Sequence, residues 1–127
     1  MSIHDNLSKA KAGGMSLDLL WENPDHTSSF AAQDVTVSNM ANYTFLMFVF
    51  KFRCSNGQQM TQLMPNSDGM GTLLYYMTTN KFGRRIAKRV DATTITFETG
   101  SYDGSNNDEY GVPVKVYGIK CGINDIR

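Results

Sequence analysis

The longest apolar run in the chain, Tyr43 to Arg53 (Tyr-Thr-Phe-Leu-Met-Phe-Val-Phe-Lys-Phe-Arg), is rich in aromatic and β-branched residues. That composition predicts a central β-strand, and the run is too short and too charged at its end to cross a bilayer as a helix. Alternation sets Leu46, Phe48, Phe50 and Phe52 on one face and Tyr43, Phe45, Met47 and Val49 on the other. Both faces are apolar, so each needs a cover. An opposing sheet serves for one; the other requires a crossing segment or a neighbouring subunit. Phe45, Met47 and Val49 are therefore the candidate oligomer interface.

Around this strand the pattern predicts a series of short strands. Ser16 to Glu22 alternates Leu17, Leu19 and Trp21 and is the first, ended by the turn Asn23-Pro24-Asp25. Gln33 to Val37 is the second. Ser55-Asn56-Gly57 is a hairpin signal in which Asn-Gly supplies positive φ, returning Gln58 to Met64 antiparallel to the central strand. Gly71 to Thr78 follows. In the next stretch Lys81, Arg84, Arg85, Lys88 and Arg89 stand at helical spacing, yet Phe82, Ile86 and Val90 share one side of an extended chain and Asp91-Ala92-Thr93 leads straight into an alternating partner. A hairpin of Arg84 to Val90 with Thr94 to Glu98 is the reading, with the basic residues exposed on a strand where charge discourages edge-to-edge aggregation.

Thr99 to Tyr110, rich in glycine, asparagine and acid, is expected as an exposed loop, and Val112 to Lys120 closes the sheet. Strands roughly every 10 to 15 residues with turn signals between them predict an all-β fold, an antiparallel β-sandwich of jelly-roll-like kind. Residues 1–14 read as a polar N-terminal arm, with Asp5 able to cap a helical turn through Lys11, and residues 15–127 as a single sandwich domain.

Composition narrows the function. A chain of 127 residues with 41% hydrophobic content can bury one core. Twelve basic and twelve acidic residues cancel, which leaves no global positive field for nucleic acid or an anionic membrane. Phe82 alone interleaves the basic cluster, where a nucleic-acid groove would offer several aromatic platforms. The start Met1-Ser-Ile-His-Asp-Asn has neither the basic nor the apolar part of a secretory signal. A reducing cytoplasm is the expected place of synthesis, with Cys54 and Cys121 as free thiols. Eight methionines suit adaptable packing surfaces as well as cores.

Candidate chemistry is sparse. Asp103, Ser105 and Asn107 have the alternate spacing of a calcium loop, but Asp108 stands where such a loop needs glycine and Val114 where it needs a bidentate glutamate, so no metal is expected. Tyr102, Asp103, Asn106, Asn107 and Tyr110 combine aromatic faces with amides and a carboxylate, the chemistry that meets a sugar ring, and are the candidate ligand-binding set. Trp21 reads as a core residue before a platform. His26 with Asp25, Ser28 and Ser29 supplies the residue types of a triad, but neighbours in one loop do not converge on a relay, and no nucleophile elbow exists. No catalytic residue is expected.

Four segments carry a resemblance: Leu20-Trp21-Glu22-Asn23-Pro24, Ser28-Ser29-Phe30-Ala31-Ala32-Gln33, Thr94-Ile95-Thr96-Phe97, and Val112-Pro113 with Val116-Tyr117-Gly118-Ile119-Lys120. In that order and spacing they resemble small β-sandwich domains of minor structural proteins and tail or fibre proteins of phages and prophages. The Trp-x-Asn-Pro and Ser-Phe-Ala-Ala-Gln pair is the most specific part. The resemblance implies a non-enzymatic, cofactor-free component of the virion, made in the bacterial host cytoplasm and bound to other virion structural proteins through its arm. It also implies adhesion to a host-surface glycan through the loops Asn23 to Ser29 and Thr99 to Tyr110. A homo-oligomer, with a trimer favoured, would cover the second apolar face. The competing reading is a monomeric carbohydrate-binding module that uses Trp21 or the loop tyrosines.

Overall fold

Ten strands follow one another in the computed structural model, which describes residues 15–121. They are β1 (Met15–Glu22), β2 (Gln33–Thr36), β3 (Phe45–Arg53), β4 (Gln59–Pro65), β5 (Gly71–Met77), β6 (Phe82–Asp91), β7 (Thr94–Phe97), β8 (Ser101–Tyr102), β9 (Ser105–Asn106) and β10 (Tyr110–Cys121). Sheet A has the order β1-β10-β3-β4. In sheet B, β6 pairs with β5 along one edge and shares the other between β7, which carries β2, and β8, which carries β9. Every pairing is antiparallel, so the chain is an all-β sandwich. The arm and the helical turn expected at Asp5 to Lys11 lie outside the described residues.

The central strand sits where its composition demands. Leu46, Phe48 and Phe50 of β3 are buried against Leu74, Ala87, Ile95 and Phe97 of sheet B. Phe97 is the hub: its ring meets Trp21 at 5.7 Å, Phe30 at 5.5 Å and Phe48 at 6.1 Å, the last two edge to face. Such contacts add to burial because ring edges and faces carry opposite partial charge. Trp21 thus belongs to the core, as its pattern predicts.

Several expectations are corrected. Tyr43 precedes β3 instead of opening it; its ring lies on Gly118, where a Cβ would stand only 2.5 Å from the ring, and its hydroxyl donates to Asp18 at 2.8 Å. In β1 a register shift between Leu19 and Trp21 turns Trp21 inward and leaves Leu17 and Leu19 outside, 55% and 49% exposed. A bulge of this kind moves the following residues to the other face.

Asn56-Gly57 does join β3 to β4, but without positive φ: Asn56 Oδ1 accepts from the Gln58 amide and closes a side-chain turn instead. The positive-φ pair is Asp103-Gly104, which joins β8 to β9, so Thr99 to Tyr110 is a small hairpin and not a plain loop. In β6 the apolar side Phe82, Ile86 and Val90 faces outward, and the other side, Gly83, Arg85, Ala87 and Arg89, is the buried one. Small Gly83 and Ala87 leave room there for large neighbours, and the two arginines find partners.

Candidate functional site

Two regions carry the candidate chemistry, and they lie toward opposite ends of sheet A. At one end the turn after β1 and the segment between β7 and β10 converge. Phe30 N–H donates to the Asp108 carbonyl at 2.9 Å, and Asn23 donates from both its backbone and side chain to the Val114 and Pro113 carbonyls at 2.9 and 2.8 Å. Met15 and Cys121 pair at the other end, so the described chain enters and leaves sheet A away from these loops. Cys54, at the loop end, is likewise remote from Cys121, and both thiols are free.

Arg85 holds the loop end together. Its side chain is fully buried, and its guanidinium donates to four main-chain carbonyls: Gly111 at 2.8 Å, Glu98 at 2.7 Å, and Asp108 and Tyr110 at 3.1 Å each. The Asp108 carboxylate stands 3.8 Å away, and the Phe30 ring lies under the guanidinium at 5.4 Å. Burial pushes this guanidinium down to about 10 while Asp108 pulls the other way, so it stays charged at neutral pH. A planar fork with five donors suits this task because the carbonyls surround it. Arg89 is buried as well and reaches Asp68 at 3.2 Å. The basic strand is therefore partly internal, and it binds an acidic loop of its own chain.

The ligand-binding candidates are brought together only in part. Tyr102 and Tyr110 stack with ring centroids 4.2 Å apart, and Arg53 lies over Tyr110 at 5.3 Å while holding Glu109 at 3.1 Å. Phe52 packs against both rings, at 5.9 and 5.2 Å, and against Tyr76 at 4.9 Å. Tyr110 is 7% exposed, so its faces are spent on its own chain. Asp103 occupies the hairpin turn, Asn107 accepts from the Glu109 amide, and Asn106 borders a cleft of about 680 Å³ between Gln33, Asp34, Arg84, Thr96 and Ser101. In that cleft Asp34 is already bonded to Thr96 at 2.6 Å and Arg84 to Ser101 at 3.4 Å.

His26, Asp25 and Ser28 do not form a relay. The Ser28 hydroxyl donates to Asp25 at 2.7 Å, Thr27 also donates to Asp25, and His26 faces Lys51 at 3.3 Å. Lys51, buried on β3, gives its remaining bonds to the carbonyls of His26 and Cys54, which seats the loop on the outer face of sheet A at this end. The hydroxyls of Thr27 and Ser28 hold Asp25 down at about 2 from an ordinary 3.8. A carboxyl lowered on folding stabilises the fold above its unfolded value and loses that contribution as pH falls toward 2. An NMR titration of Asp25 should accordingly give a midpoint near 2, and Thr27→Val with Ser28→Ala should raise it toward the ordinary value.

At the other end, the outer face of sheet A is apolar across all four strands. Residues opposite one another in a ladder point the same way. The register places Leu17, Ile119, Phe45 and Pro65 in one rung, then Leu19, Tyr117, Met47 and Leu63 in the next. Leu17, Leu19 and Leu63 are half exposed, and Phe45 is 39% exposed. A third rung, Glu22, Lys115, Val49 and Thr61, is mainly polar, with Lys115 facing Glu22 at 4.0 Å. An antiparallel sheet that meets water normally carries polar side chains on that face.

Of the three interface candidates, Phe45 and Met47 belong to the apolar rungs and Val49 is buried at their border. The sequence reading missed their partners on β1, β4 and β10. The bulge in β1 hid the leucines, since unbroken alternation sends them inward with Trp21.

No family model, curated protein or solved structure matches the chain.

Proposed function

We infer that the protein is a non-enzymatic structural component of a phage or prophage virion, and that it works by assembly through the outer face of sheet A. One observation carries the reading: two complete rungs of apolar side chains on a face that no other part of the described chain covers. Burying them between copies gains the free energy of removing apolar area from water, and a homo-oligomer, with a trimer favoured, does so by symmetry. The four-segment resemblance to virion sandwich domains supports the setting. The paired, internally engaged loop tyrosines favour packing over an open sugar platform, so the lectin reading ranks second.

The first test is the absolute mass of the purified protein by light scattering, with and without residues 1–14. A mass of several chains that falls in Met47→Glu is the expected result, with association weakened about a hundredfold or more by a charge placed in the centre of the patch. A single-chain mass at every concentration would overturn assembly. The virion setting has its own test: the chain should be recovered by mass spectrometry in particles purified from the bacterial strain that carries the gene, and its absence there would remove that part.

A further inference from the structure

β5 is an edge without the usual protections. Among the described residues it pairs with β6 alone; it runs without a register shift and reads Gly-Thr-Leu-Leu-Tyr-Tyr-Met, with neither charge nor proline. Edge strands are normally blunted by charge, proline or a bulge. The other edges of the described residues are protected: Asp18, Glu22 and a bulge in β1, Asp34 in β2, Pro65 at the end of β4, and a length of two residues in β9. Leu73, Tyr75 and Met77 on β5 are 38%, 43% and 57% exposed.

The ladder also fixes which backbone groups are free. Arg89 N–H donates to Met70 C=O at 2.8 Å and Thr78 N–H to Lys81 C=O at 2.7 Å, so positions 70 and 78 lie in bonded pairs with the β6 hairpin. Bonded and non-bonded pairs alternate along an antiparallel ladder. Thr72, Leu74 and Tyr76 therefore bond to β6. Gly71, Leu73, Tyr75 and Met77 turn their N–H and C=O groups to the open edge.

We propose that this edge pairs with β5 of a second copy, antiparallel about a two-fold axis through Leu74. In that register Leu73 faces Tyr75 of the other copy and Gly71 faces its Met77, so every outward group meets an outward group and roughly eight hydrogen bonds form. The pairing is self-complementary: Leu73 and Tyr75 interlock on the outer face, Leu74 stays in the core of its own copy, and no like charges oppose one another. Arg84 and Lys88 sit one strand back, so the two β6 strands are about 14 Å apart, beyond a Debye length in physiological salt. The contact is separate from the sheet A face, and it joins copies whose loop ends point in opposite directions.

The test uses the full chain with Met47→Glu, so that the sheet A face is silenced. This protein should have twice the chain mass at high concentration, and the further change Tyr75→Lys or Leu73→Pro should return it to one chain. Leu73→Pro removes an outward amide only, so the ladder to β6 survives; Tyr75→Lys gives the same answer without a backbone change. Amide exchange at Leu73 and Tyr75 should slow at least tenfold from dilute to concentrated protein, while Thr72 and Leu74 stay slow throughout. A one-chain mass for Met47→Glu at all concentrations, or a two-chain mass unmoved by Tyr75→Lys, would overturn the pairing. So would slow exchange at Leu73 and Tyr75 at every concentration, which would mean that a segment of the same chain, such as residues 1–14, occupies the edge. Whether Met47→Glu changes the mass of otherwise native protein decides the sheet A assembly independently.

Discussion

Arg85→Met should cost the fold about 4 kcal/mol, a large share of the net stability of a small domain. The substitution keeps the length and apolar stem of the side chain but strips the donors from the carbonyls of Glu98, Asp108, Tyr110 and Gly111. The Asp108 carbonyl keeps the Phe30 amide, and each buried carbonyl left unpaired carries a desolvation cost of about 1–3 kcal/mol, partly relieved where water can enter. The Asp108 carboxylate loses its nearby cation at the same time. In urea the midpoint should fall by roughly 2–3 M with little change in slope. Arg85→Lys should recover less than half, because one ammonium cannot span carbonyls arranged around a planar fork. A midpoint within about 0.5 M of the parent would show that the loop is held by other means.

Gly100→Ala should be nearly as damaging, by about 3 kcal/mol, although it adds a single methyl group. A Cβ at this position would stand 2.5 Å from the Tyr110 carbonyl oxygen, 2.7 Å from the Asn107 carbonyl oxygen and 2.7 Å from Arg85 Nη2. Two of these atoms are backbone and the third belongs to the clamp, so the clash has no flexible side chain to absorb it. The Gly100 amide also donates to Asp108 Oδ1 at 3.1 Å and its carbonyl accepts from Asn107 at 2.7 Å, which pins the residue from both sides. Thermal melting of the Ala variant should show the loss. Gly104→Ala provides the contrast, since nothing lies within 4 Å of its Cβ and only the φ of +86° resists the change.

The strands were legible because their alternation is driven by one dominant requirement, the burial of Leu46, Phe48 and Phe50 against Phe97 and its neighbours. Where two requirements compete, the pattern misleads. In β6 the apolar Phe82, Ile86 and Val90 suggest an inward face, yet Gly83, Arg85, Ala87 and Arg89 take it, because a guanidinium that meets several carbonyls can be buried and small residues beside it make the space. The visible signal was the alternation of small and basic residues, which an exposed strand has no reason to keep.

Turn chemistry was transferable but misplaced: Asp103-Gly104 carries the positive φ expected of Asn56-Gly57. The apolar rungs of sheet A were half visible as Phe45 and Met47. Their partners depended on a bulge in β1 and on strand order, which are properties of the assembled sheet and not of any one segment.

The Arg85 clamp bears on how this molecule can change over generations. It grips main-chain oxygens, and every amino acid brings one, so the side chain at 98, whose carboxylate turns to Lys88, can be exchanged without loosening the grip itself. The hairpin tip from Asp103 to Asn106 lies outside the clamp altogether. A lineage can therefore rewrite or lengthen what this end displays while the frame beneath stays constant, and the burden of conservation falls on one arginine, the glycine packed against it and the aspartate that holds both.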